Sequence, residues 1–303
     1  MIVFIVKALS RMHAIMPESV SNRLGEALGL LLYGLLGGKR KRAEAALARS
    51  FPDWDKQRVR QTTRSVFVGN GRFFAEVLRL HGRPRRSPLD LIDYRPEDME
   101  RFRAIMAQGH GALVLTAHVH NYIYLAAWAA RFYPMTVVAK PIRPPALNDY
   151  ILKVWGELGI TVLPHAGTYR KILRAVQGDD VIGFVMDQNA VHKRGVFVSF
   201  FDRPACTNPG LAMLSAQSGA PVVPVFLVRD RGRYRVRIHE AIPPPPDREL
   251  DTLQDYTQRY TQVIEQEVRE QPESWIWMHN RWRTAPRPGD RITRTDGSCY
   301  RHE

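Results

Sequence analysis

The sequence predicts an α/β fold: a central, mostly parallel or mixed sheet flanked by helices, with a helical region ahead of it. Three observations carry that expectation. From residue 112 onward, short apolar runs alternate with helix-compatible stretches. The first 80 residues read as helical. One strand-like run, Leu113-Val114-Leu115-Thr116-Ala117-His118, passes straight into polar residues, as strands do where an open sheet binds its ligand.

Taken in order, the chain opens on Met1-Ile2-Val3-Phe4-Ile5-Val6, and Lys7 and Arg11 interrupt it before a span of membrane length is reached. No signal-peptide cleavage pattern follows. Residues 24–38 are Leu-rich but hold Glu26 and five glycines, and the uncharged part is 12 residues long. A spanning helix takes about 20. Lys39, Arg40, Lys41 and Arg42 follow at once. They fit either a solvated charge run after a buried helix or the headgroup and phosphate contact of an interfacial one. Over 55–80, Val59, Val66, Phe67, Phe73, Phe74 and Val77 recur mostly at three-, four- and seven-residue spacings, which predicts a helix. Gly82, Pro84, Pro88 and Pro96 break that pattern, and 97–108 reads as a short helix closed by Gly109.

Strands are then expected at 112–116, 135–139, 160–163, 181–186, 222–228 and 233–238. Helices are expected at 123–132, 150–158, 169–177, 209–218 and 250–270. Four consecutive prolines, 243–246, separate the last strand from the last helix. From Pro286 the chain is polar and rich in Pro, Gly and Arg, and is expected to be a flexible tail. The organisation is therefore a helical, membrane-associating and packing region over 1–80, an α/β core continuous with it over 81–285, and the tail over 286–303.

Composition narrows the partners. The 303 residues carry 44 Lys plus Arg against 30 Asp plus Glu, a net charge of +14, with 45% hydrophobic residues. That excludes a small disulfide-stapled module and a mainly disordered chain, and it favours an anionic partner. Two cysteines, Cys206 and Cys299, supply neither a Cys-based zinc site nor a disulfide framework. HExxH, GxGxxG and GxxxxGK are absent, so no metal or nucleotide cofactor is expected. No nucleic-acid-binding pattern accompanies the basic residues, which leaves an anionic membrane surface ahead of nucleic acid.

The polar run after the first core strand is the most informative segment. His118 has the chemistry of a general base, because imidazole titrates near neutrality and can take a hydroxyl proton as that oxygen attacks an acyl carbonyl. His120 can orient it, bind substrate or cap the next helix. By themselves two histidines at i, i+2 fit ordinary loop residues equally well.

With its wider context the chain resembles the bacterial lipid A biosynthesis lauroyl/myristoyl acyltransferase family over nearly its whole length. The matching pieces are Ser50-Phe51-Pro52, Thr116-Ala117-His118-Val119-His120-Asn121-Tyr122, Gly159-Ile160, Asp187-Gln188-Asn189, Gly195-Val196-Phe197-Val198, Phe200-Phe201, Gly219-Ala220-Pro221-Val222-Val223-Pro224-Val225, and the run from Pro272 to Trp282 that contains Trp275-Ile276-Trp277-Met278-His279-Asn280-Arg281. The resemblance implies a glycerolipid-acyltransferase-like fold. It also implies an enzyme on the cytoplasmic face of the bacterial inner membrane, peripheral or monotopic. Such an enzyme moves a fatty acyl group from acyl carrier protein, acyl-CoA or a related thioester to a hydroxyl of a glycolipid or phospholipid-like acceptor.

The family's central pattern is a histidine, four residues and then an acid; its first position falls on His118 and its acidic position on Ile123, while His120 stands where the family keeps a small residue. Isoleucine can neither hold an imidazole tautomer nor stabilise the imidazolium. Asp187, at the end of the 181–186 strand, is the candidate to replace that acid or to bind substrate. Ile123 also leaves open a catalytically weak or inactive homologue that binds acyl-lipid or carrier protein. The candidate substrate-binding residues are His120, Asn121, Arg143, Arg170, Gln188, Asn189 and Lys193; for Arg143 the resemblance implies such a role, and Asn189 and Lys193 follow Asp187 in a polar loop suited to positioning a headgroup. Arg143 and Arg170 are candidates for phosphate because a guanidinium fork pairs bidentately with it. Trp275 and Arg281, in the Trp-rich segment, fit either membrane and phosphate contact or core packing, with at least two of its tryptophans expected in the core.

Overall fold

A computed structural model describes residues 1–82, 88–164, 167–178, 180–230 and 232–303, so Pro84 lies outside the described residues. Four helices come first: α1 (Ile2–Ile15), α2 (Glu18–Leu35), α3 (Gly37–Ser50) and α4 (Lys56–Gly82). α4 is the expected helix of 55–80. Its buried Val59, Val66, Phe67, Ala75 and Leu80 face the rest of the protein.

α2 crosses α4 at glycines. Cβ atoms added at Gly25 or Gly29 would collide with the backbone of Gly71 or Phe67, so the two helices approach backbone to backbone. The large side chains of α2 are thereby turned outward, with Leu24, Leu28, Leu31 and Leu35 exposed. α1 follows the same rule, burying Ser10, His13 and Ala14 while exposing Phe4, Ile5 and Ile15. Arg79 of α4 fastens the turn between α1 and α2 by donating to the carbonyls of His13 (2.9 Å) and Met16 (2.6 Å).

The α/β region then runs β1 (Asp93–Tyr94), α5 (Pro96–Met106), β2 (Ala112–Thr116), α6 (Tyr122–Ala129), β3 (Met135–Ala139), α7 (Pro145–Glu157), β4 (Ile160–Pro164), α8 (Tyr169–Gln177) and β5 (Val181–Val185). After these come β6 (Val196–Phe200), β7 (Arg203–Thr207), α9 (Gly210–Ser218), β8 (Val222–Asp230), β9 (Arg233–Ile238), α10 (Leu250–Glu270), β10 (Arg291–Thr293) and β11 (Cys299–Arg301). Seven strands form one sheet in the order β1-β9-β8-β2-β5-β3-β4, parallel throughout except for the β8–β9 pair. β2 and β5 are central, and every residue of β2 is buried. This is the mostly parallel α/β sheet with a helical N-terminal region that the alternation predicts.

The C-terminal expectation is overturned. Residues beyond Pro286 include β10, which pairs in parallel with β6, and β11, which pairs with β10, completing a second sheet of order β11-β10-β6-β7. Ile292 and Thr293 are buried there, and the Gln254 side chain of α10 donates to both Phe197 O and Arg291 O. A polar composition conceals these strands because each is only three residues long, too short to show a period.

Candidate active site

β2 and β5 are parallel neighbours in register from Ala112 opposite Val181 to Thr116 opposite Val185. Continued two residues past each strand, that register sets His118 beside Asp187 at the carboxyl edge of the sheet, where open α/β sheets present their ligand groups. His118 Nδ1 lies 2.8 Å from Asp187 Oδ1, and the His118 backbone N–H donates to the same oxygen at 3.2 Å. Trp275 Nε1 donates to Asp187 Oδ2 at 2.6 Å.

The electrostatics of the pair run in one direction. Burial pushes the Asp187 carboxyl up, but the His118 charge and the bonds from His118 and Trp275 outweigh it and hold it at about 2. Burial lowers the His118 imidazole, yet the Asp187 charge and hydrogen bond leave it raised above its ordinary value. A carboxylate only accepts, so Nδ1 carries the hydrogen and Nε2 keeps a lone pair. The Gln188 amide, exposed and displaceable, lies 3.2 Å from that Nε2.

His118 lines two cavities. One, of about 970 Å³, is mainly apolar and runs into the core past Tyr122, Ile123, Trp128, Val137 and Leu211. The other, of about 960 Å³, is a cleft along α4 that presents Arg64, Arg72 and Arg229 together with Glu26, Glu273, His120 and Tyr234, so its arginines outnumber its carboxylates by one. Arg72 is paired with Glu26 of α2 at the rim of this cleft. The arrangement offers an imidazole with an oriented lone pair between a slot for a hydrocarbon chain and a basic cleft for a polar group.

The structure separates the remaining candidates. Gln188 and Asn189 line the apolar cavity, Asn189 being tied to the chain at Thr284 through bonds of 3.0 Å in both directions. Asn121 is a correction. It is fully buried, caps α6 by accepting from Tyr124 N, and donates to Glu76 Oε2 at 2.9 Å, leaving no face for substrate. Glu76 is buried too, and burial pushes its carboxyl up against the bonds from Asn121 and Tyr234. Arg143, Arg170 and Lys193 are exposed and line neither cavity, each standing next in sequence to a residue, Ile142, Tyr169 or Arg194, that lines the apolar one.

Trp275 and Arg281 are corrected as membrane or phosphate contacts. Both are buried. Arg281 donates to Cys206 O at 2.8 Å and to Thr207 Oγ1, and burial lowers its guanidinium to about 10. Ile123 packs in the apolar cluster under α6 and shows no contact that could serve His118. Lys39 to Arg42 span the first and second turns of α3, with Lys39, Lys41 and Arg42 exposed and Arg40 turned back onto Tyr33. Sequence reasoning missed Arg64, Arg72 and Arg229, which reach the cleft from α4 and β8 and carry no local motif.

A family model described as bacterial lipid A biosynthesis acyltransferase matches residues 1–284. Among curated relatives, the lipid A biosynthesis lauroyltransferase of Escherichia coli K12 is 26% identical over 276 residues, covering 89% of this chain and 88% of its own. The phosphatidylinositol mannoside acyltransferase of Mycobacterium tuberculosis is 24% identical over 70% of this chain and 67% of its own. Among solved structures, a 1-acyl-sn-glycerophosphate acyltransferase from Thermotoga maritima aligns over 86% of this chain and 99% of its own, with 16% identity and a TM-score of 0.37.

Proposed function

The chain belongs to the bacterial lipid A biosynthesis acyltransferase family, and from that membership we propose that it moves a fatty acyl group from acyl carrier protein or a related thioester to a hydroxyl of a glycolipid or lipid precursor, with His118 as general base. The single observation that carries this reading is that His118 belongs to the walls of both cavities. The acyl chain enters the apolar cavity and the acceptor headgroup the basic cleft, so their reacting ends meet at the imidazole.

The acceptor hydroxyl attacks the thioester carbonyl while Nε2 of His118 takes its proton. A C–O bond forms, the C–S bond breaks, and the proton returns from the imidazolium to the departing thiolate. Asp187 replaces the acid that Ile123 lacks: it holds the hydrogen on Nδ1 and stabilises the imidazolium, the two services a dyad carboxylate supplies. Trp275 fixes Asp187 in turn. The exposed Arg143, Arg170 and Lys193, each adjacent in sequence to a residue lining the apolar cavity, suit an acidic carrier.

On the same reading the enzyme works at the cytoplasmic face of the inner membrane as a peripheral or monotopic protein. Among the described residues no helix is long and apolar enough to cross a bilayer. The outward leucines of α2 and the exposed apolar face of α1 supply an interfacial surface instead. Lys39, Arg40, Lys41 and Arg42 crowd a helix N-terminus that has no acidic residue in its first turn, an arrangement that anionic headgroups stabilise. The basic cleft borders α2 and α4, so a lipid acceptor reaches it from the bilayer side.

Ile123 favours a second reading, a weak or inactive homologue that binds acyl-lipid or carrier protein. Mass spectrometry of native membranes incubated with labelled acyl carrier protein separates the two. Wild type is expected to acylate a membrane lipid and His118→Ala to lose that product while staying folded. Product at the wild-type rate from His118→Ala overturns the base assignment, and no product from wild type favours the binding role.

A further inference from the structure

His120 has φ 43°, in the left-handed region where a side chain carrying Cβ is strained. Backbone pairing enforces this geometry: the His120 N–H donates to Ser274 O at 3.1 Å, and Val119 bridges to Trp275. A strained residue beside a reacting group calls for a functional explanation.

Its neighbours determine which ring nitrogen is protonated. Gln271 Nε2 donates to the Arg229 carbonyl at 3.1 Å, which orients the amide so that Oε1 faces His120 Nε2 at 2.5 Å. An amide oxygen only accepts, so the hydrogen sits on Nε2 and Nδ1 is a bare lone pair. Burial lowers the imidazole below its ordinary value, outweighing Gln271 and Glu273, so the ring is neutral at pH 7. No described residue donates to Nδ1, and His120 lines the polar cleft with His118, Arg229 and Tyr234.

We infer that Nδ1 of His120 is the hydrogen-bond acceptor that receives a headgroup hydroxyl of the acyl acceptor in the polar cleft, two residues along the chain from the base. The inference rests on the acyl-transfer reading and deepens it. The cleft then selects a polyhydroxylated headgroup, in which one hydroxyl is held by His120 while another meets His118. A headgroup lacking a second hydroxyl leaves this lone pair unsatisfied and binds less well.

The test titrates the glycolipid fraction of native membranes, in detergent micelles, against saturating labelled acyl carrier protein. It compares wild type, His120→Gly, which suits the backbone and drops the ring, and His120→Asn, which tolerates the left-handed region and keeps an accepting oxygen. His120→Gly is expected to raise the half-saturating acceptor concentration about tenfold, equivalent to about 1.4 kcal/mol, and His120→Asn to recover part of that loss. Thermal melts report folding separately, and a purely structural ring would move the melt rather than the half-saturation. An unchanged half-saturating concentration in His120→Gly, or no recovery in His120→Asn, overturns the inference alone. Absence of transfer by wild type overturns the acyl-transfer reading and this inference together.

Discussion

The first two helices, α1 and α2, and the α/β core obey opposite packing rules. In the core, β2 and β5 bury Leu113, Leu115 and Ile182, and Asp187, a charge kept inside, is held by His118 and Trp275. In α1 and α2 the small residues Ser10, Ala14, Gly25 and Gly29 face inward and the large apolar ones face out. Water rewards the first arrangement and penalises the second. Under the proposed attachment to a membrane the outward apolar face meets lipid instead of water, and the cleft beside His118 lies where the two regions meet.

The largest expected effect on stability is in the core. Ile123→Glu puts a carboxylate among Leu125, Trp128 and other buried apolar side chains, and is expected to cost about 3 to 5 kcal/mol in a denaturant melt. It is also expected to leave transfer no faster, because Asp187 already occupies the Nδ1 side of His118. A faster, stably folded Ile123→Glu contradicts that placement of the acid.

Gly29→Ala comes next. Its Cβ meets the Phe67 backbone, so α2 must lift from α4 at a cost of about 1 to 3 kcal/mol, read by the same melt. The smallest stability effect belongs to Leu31→Lys on the outward face, expected to move the melt by no more than about 0.5 kcal/mol. Sedimentation with vesicles containing anionic lipid is nevertheless expected to show binding weakened by about tenfold or more. A large loss of stability with undiminished vesicle binding would mean that Leu31 is a core residue and would break the contrast.

The two regions also differed in legibility. Strand–helix alternation located β2, β3, α8, β9 and α10 to the residue, the strands as short apolar or β-branched runs between breakers and the helices by their period. The β6–β7 hairpin and β10 escaped because their pairing is set by a partner strand and by Gln254 and Gln258 of α10 rather than by local pattern. His118 was legible from its strand end. Its pairing with Asp187 was visible only as a feasible convergence, since a register joining residues 69 apart leaves no mark on either segment alone. Trp275 gave a misleading signal: an interfacial aromatic and a buried one that donates to a carboxylate look the same in sequence.

The central claim is that Asp187 now performs the service Ile123 cannot. The pH dependence of acyl transfer by wild type and Asp187→Asn at subsaturating acceptor tests it most directly. Only neutral His118 acts as a base, so the wild-type rate is expected to climb as pH rises through the raised imidazole pKa. Without the carboxylate, burial alone acts on the ring and lowers that pKa, so the acid limb is expected to move to lower pH while the maximal rate falls by about three to four orders of magnitude. A profile for Asp187→Asn that superimposes on wild type in both position and height would contradict the account.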